Sequence, residues 1–149
     1  MKRLIYAMFA LAVIVSVTGC NKDKGEKVNF ASKIVGEWHC TPASFDAEVY
    51  VSFGETGNFD LYQRIGEGRA RHYTGTWWMK GSTLSGNYSD GTPWGDDYTV
   101  AVVDDNTVTL TTLNGSEETM TYTRESIPAN IIEESLDLRS TLPDELPFL

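Results

Sequence analysis

From Ile34 to Glu125 apolar and polar residues alternate with period two, and turn residues break the alternation every 8–14 positions. Successive side chains on an extended strand point to opposite faces, so this pattern builds strands with one dry face and one wet face. Eight stretches carry it: Ile34–Thr41, Ala47–Phe53, Gly57–Ile65, Arg69–Lys80, Ser82–Ser89, Gly95–Val103, Asn106–Leu113 and Glu117–Glu125. The breaks have turn chemistry. Gly54-Glu55-Thr56-Gly57 separates two apolar runs, and Asp104-Asp105-Asn106 is a tight acidic turn. Asn114-Gly115 is the strongest hairpin signal, because both residues tolerate the positive φ of a type I′ turn. Asp90-Gly91-Thr92-Pro93-Trp94 reads as a longer loop.

The inward set follows from the alternation. Val49, Val51 and Phe53 share one face, as do Phe59 and Leu61, then Tyr98, Val100 and Val102, then Val108 and Leu110, then Met120 and Tyr122. The opposite faces are threonine-rich or charged. Eight such strands form two stacked sheets or one closed barrel, and closure removes the exposed edges. Two residues argue for closure. Gly36-Glu37-Trp38 begins the first strand and Arg124 ends the last. In a closed meander those strands are neighbours, and an arginine over an indole face is a favourable pair. The expected fold class is all-β: an eight-stranded antiparallel up-and-down barrel with a short C-terminal helix.

The stretch Asn29-Phe30 … Gly36-Glu37-Trp38, together with Arg124, resembles the lipocalins. The resemblance implies a short helical turn leading into a Gly-x-Trp strand. It also implies that Trp38 packs at the closed end against Arg124, so that Gly36, Trp38 and Arg124 close the barrel. The sequence departs from vertebrate members: Ala31 stands where an aspartate is common, the spacing from Asn29 to Gly36 is one residue shorter than in some, and the central motif is not evident. The resemblance is therefore to a bacterial lipocalin-like domain of calycin type.

The N-terminus sets the expected location. Lys2 and Arg3 precede an apolar run from Leu4 to Val17, and Val17-Thr18-Gly19-Cys20 closes it. Basic start, apolar core and small-residue exit make a secretory signal. The run is too short for a membrane span, which needs ~20 residues. Its last four residues resemble the lipobox of bacterial lipoproteins, which implies acyl chains such as palmitate on Cys20. Residues 1–19 are then a lipoprotein signal peptide, 20–29 the lipidated Cys20 and a polar tether, 30–126 the barrel, and 127–149 a C-terminal helix and tail. Asn21 is not the aspartate that often retains lipoproteins at an inner membrane, so the expected address is the cell envelope, at the outer membrane.

Without Lys2 and Arg3 the chain carries ten basic and 21 acidic side chains, a net charge of −11. Such a surface repels phosphate backbones, which argues against nucleic acid as a partner. With Cys20 acylated, Cys40 has no partner for a disulfide and is expected as a buried thiol. In the tail, Pro128 can begin a helix over Ala129–Arg139, capped by Ser126 or Asn130 and packed on the barrel wall. Leu146-Pro147-Phe148-Leu149 then ends it in extended form, either packed on the barrel or loose.

No catalytic constellation is legible, and no enzyme activity, cofactor or metal is expected. His39 alternates with Trp38 and Cys40 and so points away from the thiol, and the serines lack a nucleophile elbow. Asp90, Asp96, Asp97, Asp104 and Asp105 flank the sixth strand, where they read as turn formers rather than a calcium loop. The aromatic residues carry the functional expectation. Phe53, Phe59, Tyr73, Trp77, Tyr88, Tyr98, Met120 and Tyr122 point into one interior, which either holds a small apolar or amphipathic ligand or is a filled core. Trp78 and Trp94 are expected at the surface, as contacts for a partner or a glycan. Two functions follow: a membrane-anchored lipoprotein with a ligand in its barrel, or a solid barrel whose loops or tail dock a protein of the cell envelope, a protease included.

Overall fold

The structure, a computed structural model, describes residues 28–44, 46–137 and Leu149. In chain order the elements are α1 (Phe30–Ile34), β1 (Gly36–Cys40), β2 (Ala47–Phe53), β3 (Asn58–Ile65), β4 (Arg71–Lys80), β5 (Thr83–Tyr88), β6 (Tyr98–Asp104), β7 (Thr107–Thr112), β8 (Thr119–Arg124), α2 (Ala129–Glu134) and β9 (Leu136–Asp137). Strands β1 to β8 pair antiparallel in sequence order, and β1 also pairs with β8. The result is a closed up-and-down barrel of eight strands, as the alternation predicts. Each strand starts and stops within a few residues of its expected bounds. Turn residues stop the ladders, and turn geometry is what alternation leaves out.

The two ends differ. Helix α1, the β2–β3 and β6–β7 turns and the tip of β4 crowd one end. The β1–β2, β3–β4, β5–β6 and β7–β8 loops surround the other. At the crowded end Ile34 belongs to α1 and not to the first strand. The Asn29 side chain accepts the Ser32 N–H at 3.3 Å and so caps the helical turn. The strand begins at Gly36, whose φ of 127° disfavours any other residue.

Trp38 lies opposite Arg124 in the β1–β8 register. The Arg124 guanidinium carbon sits 4.2 Å from the centroid of the Trp38 ring. Its nitrogens donate to the Val35 oxygen at 3.0 Å, the Lys33 oxygen at 3.1 Å and the Asp105 oxygen at 3.3 Å. Trp38 Nε1 donates to the Ile34 oxygen at 2.6 Å. One arginine thus ties α1 and the β6–β7 turn to the last strand, while the indole plugs the barrel beneath it. A β-carbon at Gly36 would run into that guanidinium.

The seam between β5 and β6 is short: the two strands share only the pairs Thr83↔Thr99 and Leu84↔Tyr98, as few as β1 and β8 share. Two segments add to the sheet at the loop-rich end. The β5–β6 loop returns to β5 at the Asn87↔Pro93 bridge. Strand β9 runs parallel to β4, with Leu136 opposite Arg71. Helix α2 is shorter than expected and takes Pro128 as its N-cap, with no side-chain cap from Ser126 or Asn130. It stops at Glu134 because Ser135 turns extended (ψ 148°) to deliver Leu136 to the sheet. Expected helix positions 138 and 139 lie outside the described residues. Ile127 and Ile131 pack on Tyr50, Tyr62 and Ala70 on the outer wall.

Candidate functional site

The inward rows converge on one interior. Phe53, Phe59, Tyr73, Trp77, Tyr88, Tyr98, Met120 and Tyr122 are all buried in a single cluster with Trp38, Leu61, Leu84 and Leu110. Their rings meet edge to face. Phe53 touches Trp77, with ring centroids 5.4 Å apart, and Phe59 touches Tyr88 at 5.9 Å. Tyr73 lies 5.9 Å from Tyr88. Such contacts suit the ring quadrupoles, which disfavour face-to-face stacking. Trp77 sits toward the crowded end, where its Nε1 donates to the Gly54 oxygen at 3.2 Å and the Asn58 oxygen at 2.9 Å. It anchors the β2–β3 turn as much as it lines the interior.

Trp94 is not at the surface. It is 6% exposed and lies inside the barrel, 5.1 Å from Phe59, 6.3 Å from Tyr98 and 6.5 Å from Phe53. The reason is the short β5–β6 ladder. The loop folds inward, the Trp94 N–H donates to the Gly86 oxygen at 3.0 Å, and the indole covers Gly86. A β-carbon at Gly86 would collide with that indole. The available signal was a glycine between Leu84 and Tyr88 on the inward row, since a strand glycine often marks a close approach. Trp78, on the opposite face of β4, is 47% exposed.

Leu149 is also inside, 1% exposed and part of the same cluster. The Tyr88 hydroxyl donates to its main-chain oxygen, and the Gly95 N–H donates to the same atom at 3.3 Å. Sequence reasoning gave Leu149 an extended tail and no site.

The interior has polar character of a particular kind. Burial pushes the phenols of Tyr88, Tyr98 and Tyr122 up, with neighbouring phenols adding for Tyr88, Asp96 adding for Tyr98 and the Cys40 thiol adding for Tyr122. All three remain O–H donors at neutral pH. The Tyr122 hydroxyl and Trp94 Nε1 are buried without a hydrogen-bond partner among the described residues. Buried donors of this sort are costly unless an acceptor meets them.

A cavity of about 350 Å³ opens at the loop-rich end, lined by Gln63, Ile65, Gly68, Arg69, Arg71 and Leu136. Gln63 and Arg71 form a cross-strand pair that continues the inward row of Leu61 and Tyr73. Gln63 is 1% exposed. Period-two reading places both inward, but polar residues on an apolar row were not singled out. A second cavity of about 290 Å³ lies at the crowded end, between α1 and the β2–β3 turn, lined by Ala31, Ser32, Val35, Glu55 and Trp77.

Cys40 is buried, and desolvation pushes its thiol up to about 11. Native Cys40 is therefore expected to resist alkylation at pH 8, where roughly one thiol in a thousand would be ionised, and to react fully once denatured. Fast labelling of the native protein would contradict this burial. The sign for stability follows: the unfolded thiol ionises from about pH 9 while the folded one stays protonated toward 11, so this group disfavours folding as pH rises through that window. On the outer wall His39 stacks on Tyr50 and meets Glu125 at 3.0 Å, while His72 stacks on Tyr62 and meets Asp60 at 2.8 Å. Asp90, Asp96 and Asp104 accept backbone N–H groups of Thr92, Asp97 and Asn106, each at 2.8 Å, and Asp105 meets Lys33 at 3.4 Å. Among the described residues no group of three metal-ligating side chains gathers, and no helix is long and apolar enough to cross a membrane. Cys20 lies outside the described residues.

Comparison with protein-family models and with curated proteins finds no match.

Proposed function

We propose that this protein is a lipid-anchored, lipocalin-like binding protein of the cell envelope, and that its barrel holds a small amphipathic molecule from the loop-rich end. The observation that carries the reading is the pair of buried donors without an acceptor among the described residues, the Tyr122 hydroxyl and Trp94 Nε1, inside an aromatic interior. An apolar wall with a few convergent polar tips suits a ligand that is mostly hydrocarbon with one or two oxygens. In this reading no bond is made or broken. The protein binds, shields and releases.

The alternative is a barrel that works through its surface. Trp94 and Leu149 already occupy interior space, and Trp78 offers an exposed ring on the outer wall to a protein or a glycan. Native mass spectrometry of the protein purified from its own host separates the two. A reproducible added mass that leaves on denaturation supports the ligand reading. A bare mass at every preparation, with a protein partner recovered on pull-down, supports the surface reading.

The anchoring proposal rests on the Val17-Thr18-Gly19-Cys20 motif. Two or three acyl chains, each methylene contributing about 0.8 kcal/mol of membrane affinity, hold a protein firmly. Cys20→Ala is expected to move the protein from the membrane fraction to the soluble fraction or to stall it with an uncleaved signal. A mature-sized variant that stays on membranes would overturn lipidation as the anchor.

A further inference from the structure

We infer that Leu149 is a resident occupant of the ligand site, seated in the place of an aliphatic molecule with a carbonyl oxygen, and that such a molecule enters only as Leu149 leaves. The inference rests on the ligand-binding reading above and adds the regulation of the same site.

Leu149 belongs to no strand or helix, yet it is 1% exposed and packs in the aromatic cluster. It is held as a small ligand is held. A branched hydrocarbon group lies among the rings. One main-chain oxygen accepts from two donors, the Tyr88 hydroxyl at the end of β5 and, at 3.3 Å, the Gly95 N–H of the β5–β6 loop. Tyr88 lies beyond the two pairs, Thr83↔Thr99 and Leu84↔Tyr98, that join β5 to β6. Leu149 is therefore seated where those strands have parted, toward the loop-rich end.

The fit is incomplete, and that makes the occupant exchangeable. Two further donors of the same cluster, the Tyr122 hydroxyl and Trp94 Nε1, are buried without a hydrogen-bond partner among the described residues. Trp94 is the neighbour of Gly95 in the chain. Burial and the nearby Cys40, Tyr98 and Tyr88 groups all push the Tyr122 phenol up, which places its hydroxyl near that of Tyr88. The single oxygen of Leu149 thus serves two donors and leaves two beside it unmet. An unmet buried donor is costly, so a ligand whose oxygen reaches a third donor gains what Leu149 does not. Replacing one hydrocarbon group by another of similar size leaves the apolar contribution nearly unchanged. The apparent affinity for such a ligand is then lowered by the fraction of molecules in which Leu149 is seated.

The test measures binding of methyl octyl ketone and of n-decane to the full chain in a non-ionic detergent. Headspace gas chromatography reads the free probe, with protein-free detergent as the blank. Two variants are compared with the parent: Leu149→Gly, and a chain lacking residues 140–149, which keeps every element through β9. Far-UV circular dichroism checks the barrel in both. The expected result is saturable binding of the ketone at least about tenfold tighter in each variant than in the parent, because the site is no longer filled. The ketone is also expected to bind more tightly than decane. Saturable binding that is equal or weaker in the variants would overturn the resident occupant and leave the ligand reading intact. Loss of the strand spectrum in both variants would make Leu149 an integral part of the core, and would overturn the exchange. Equal affinity for ketone and decane would overturn the carbonyl assignment. Binding of neither probe to any of the three proteins would overturn the ligand reading, and the resident occupant with it.

Discussion

Trp38→Ala is expected to lower the stability of the barrel by ~3–5 kcal/mol, a large part of the ~5–15 kcal/mol that holds a domain of this size together. The side chain is 1% exposed, so its loss opens a cavity in the barrel interior. The Nε1 bond to the Ile34 oxygen goes with it. So does the aromatic surface under Arg124, and the arginine then spans a void. Helix α1 is held by these two residues more than by its own five-residue ladder, and so it should detach first. Chemical denaturation of Trp38→Ala and Trp38→Phe measures the effect. The phenylalanine variant keeps a ring for the guanidinium and should recover more than half of the loss. A drop below about 1 kcal/mol in the alanine variant would mean that the closed end is not where the barrel is held shut.

Trp94→Ala is expected to cost a comparable ~3–5 kcal/mol, whereas Trp78→Ala should fall within about 0.5 kcal/mol of the parent. The contrast tests the fold, because the sequence gives both residues to the surface, Trp78 by alternation and Trp94 by its Pro/Gly loop. Trp94 spans the seam between β5 and β6 and contacts Phe53, Phe59 and Tyr98. Without its indole the two strands share only two register pairs and no packing over Gly86. Urea titrations of the two variants, followed by far-UV circular dichroism, are the measurement. Equal and small effects would place Trp94 outside the interior.

Much of this architecture was legible before any coordinates. Alternation is a local property, because adjacent side chains on a strand must point to opposite faces, and so eight strands and their inward rows could be read directly. The eight inward residues named from that alternation all lie in one buried cluster. Trp38 and Arg124 were paired by topology: in a closed meander the first and last strands touch. Where reading failed, the residue sat in a loop or tail. Trp94 follows a Pro and precedes a Gly in a stretch without periodicity, and its direction was set by a seam elsewhere in the barrel. Leu149 reads as an extended end that packs on the barrel or stays loose, and only its contacts with the Tyr88 hydroxyl and the Gly95 N–H decide for an interior seat. Helix α2 ended early for a similar reason. The pairing of Leu136 with Arg71 outcompetes another turn of helix, and nothing near Glu134 announces that partner.

The sequence by itself determined the strand count, the inward faces and the pair that closes the barrel, because each depends on period-two geometry and on neighbour order along the chain. Tertiary structure alone decided what fills the space those strands enclose. Trp94 and Leu149 enter the interior beside the short β5–β6 seam, and β9 brings Leu136 to Arg71. Those are contacts between segments far apart in the chain, and no local pattern encodes where two distant segments meet.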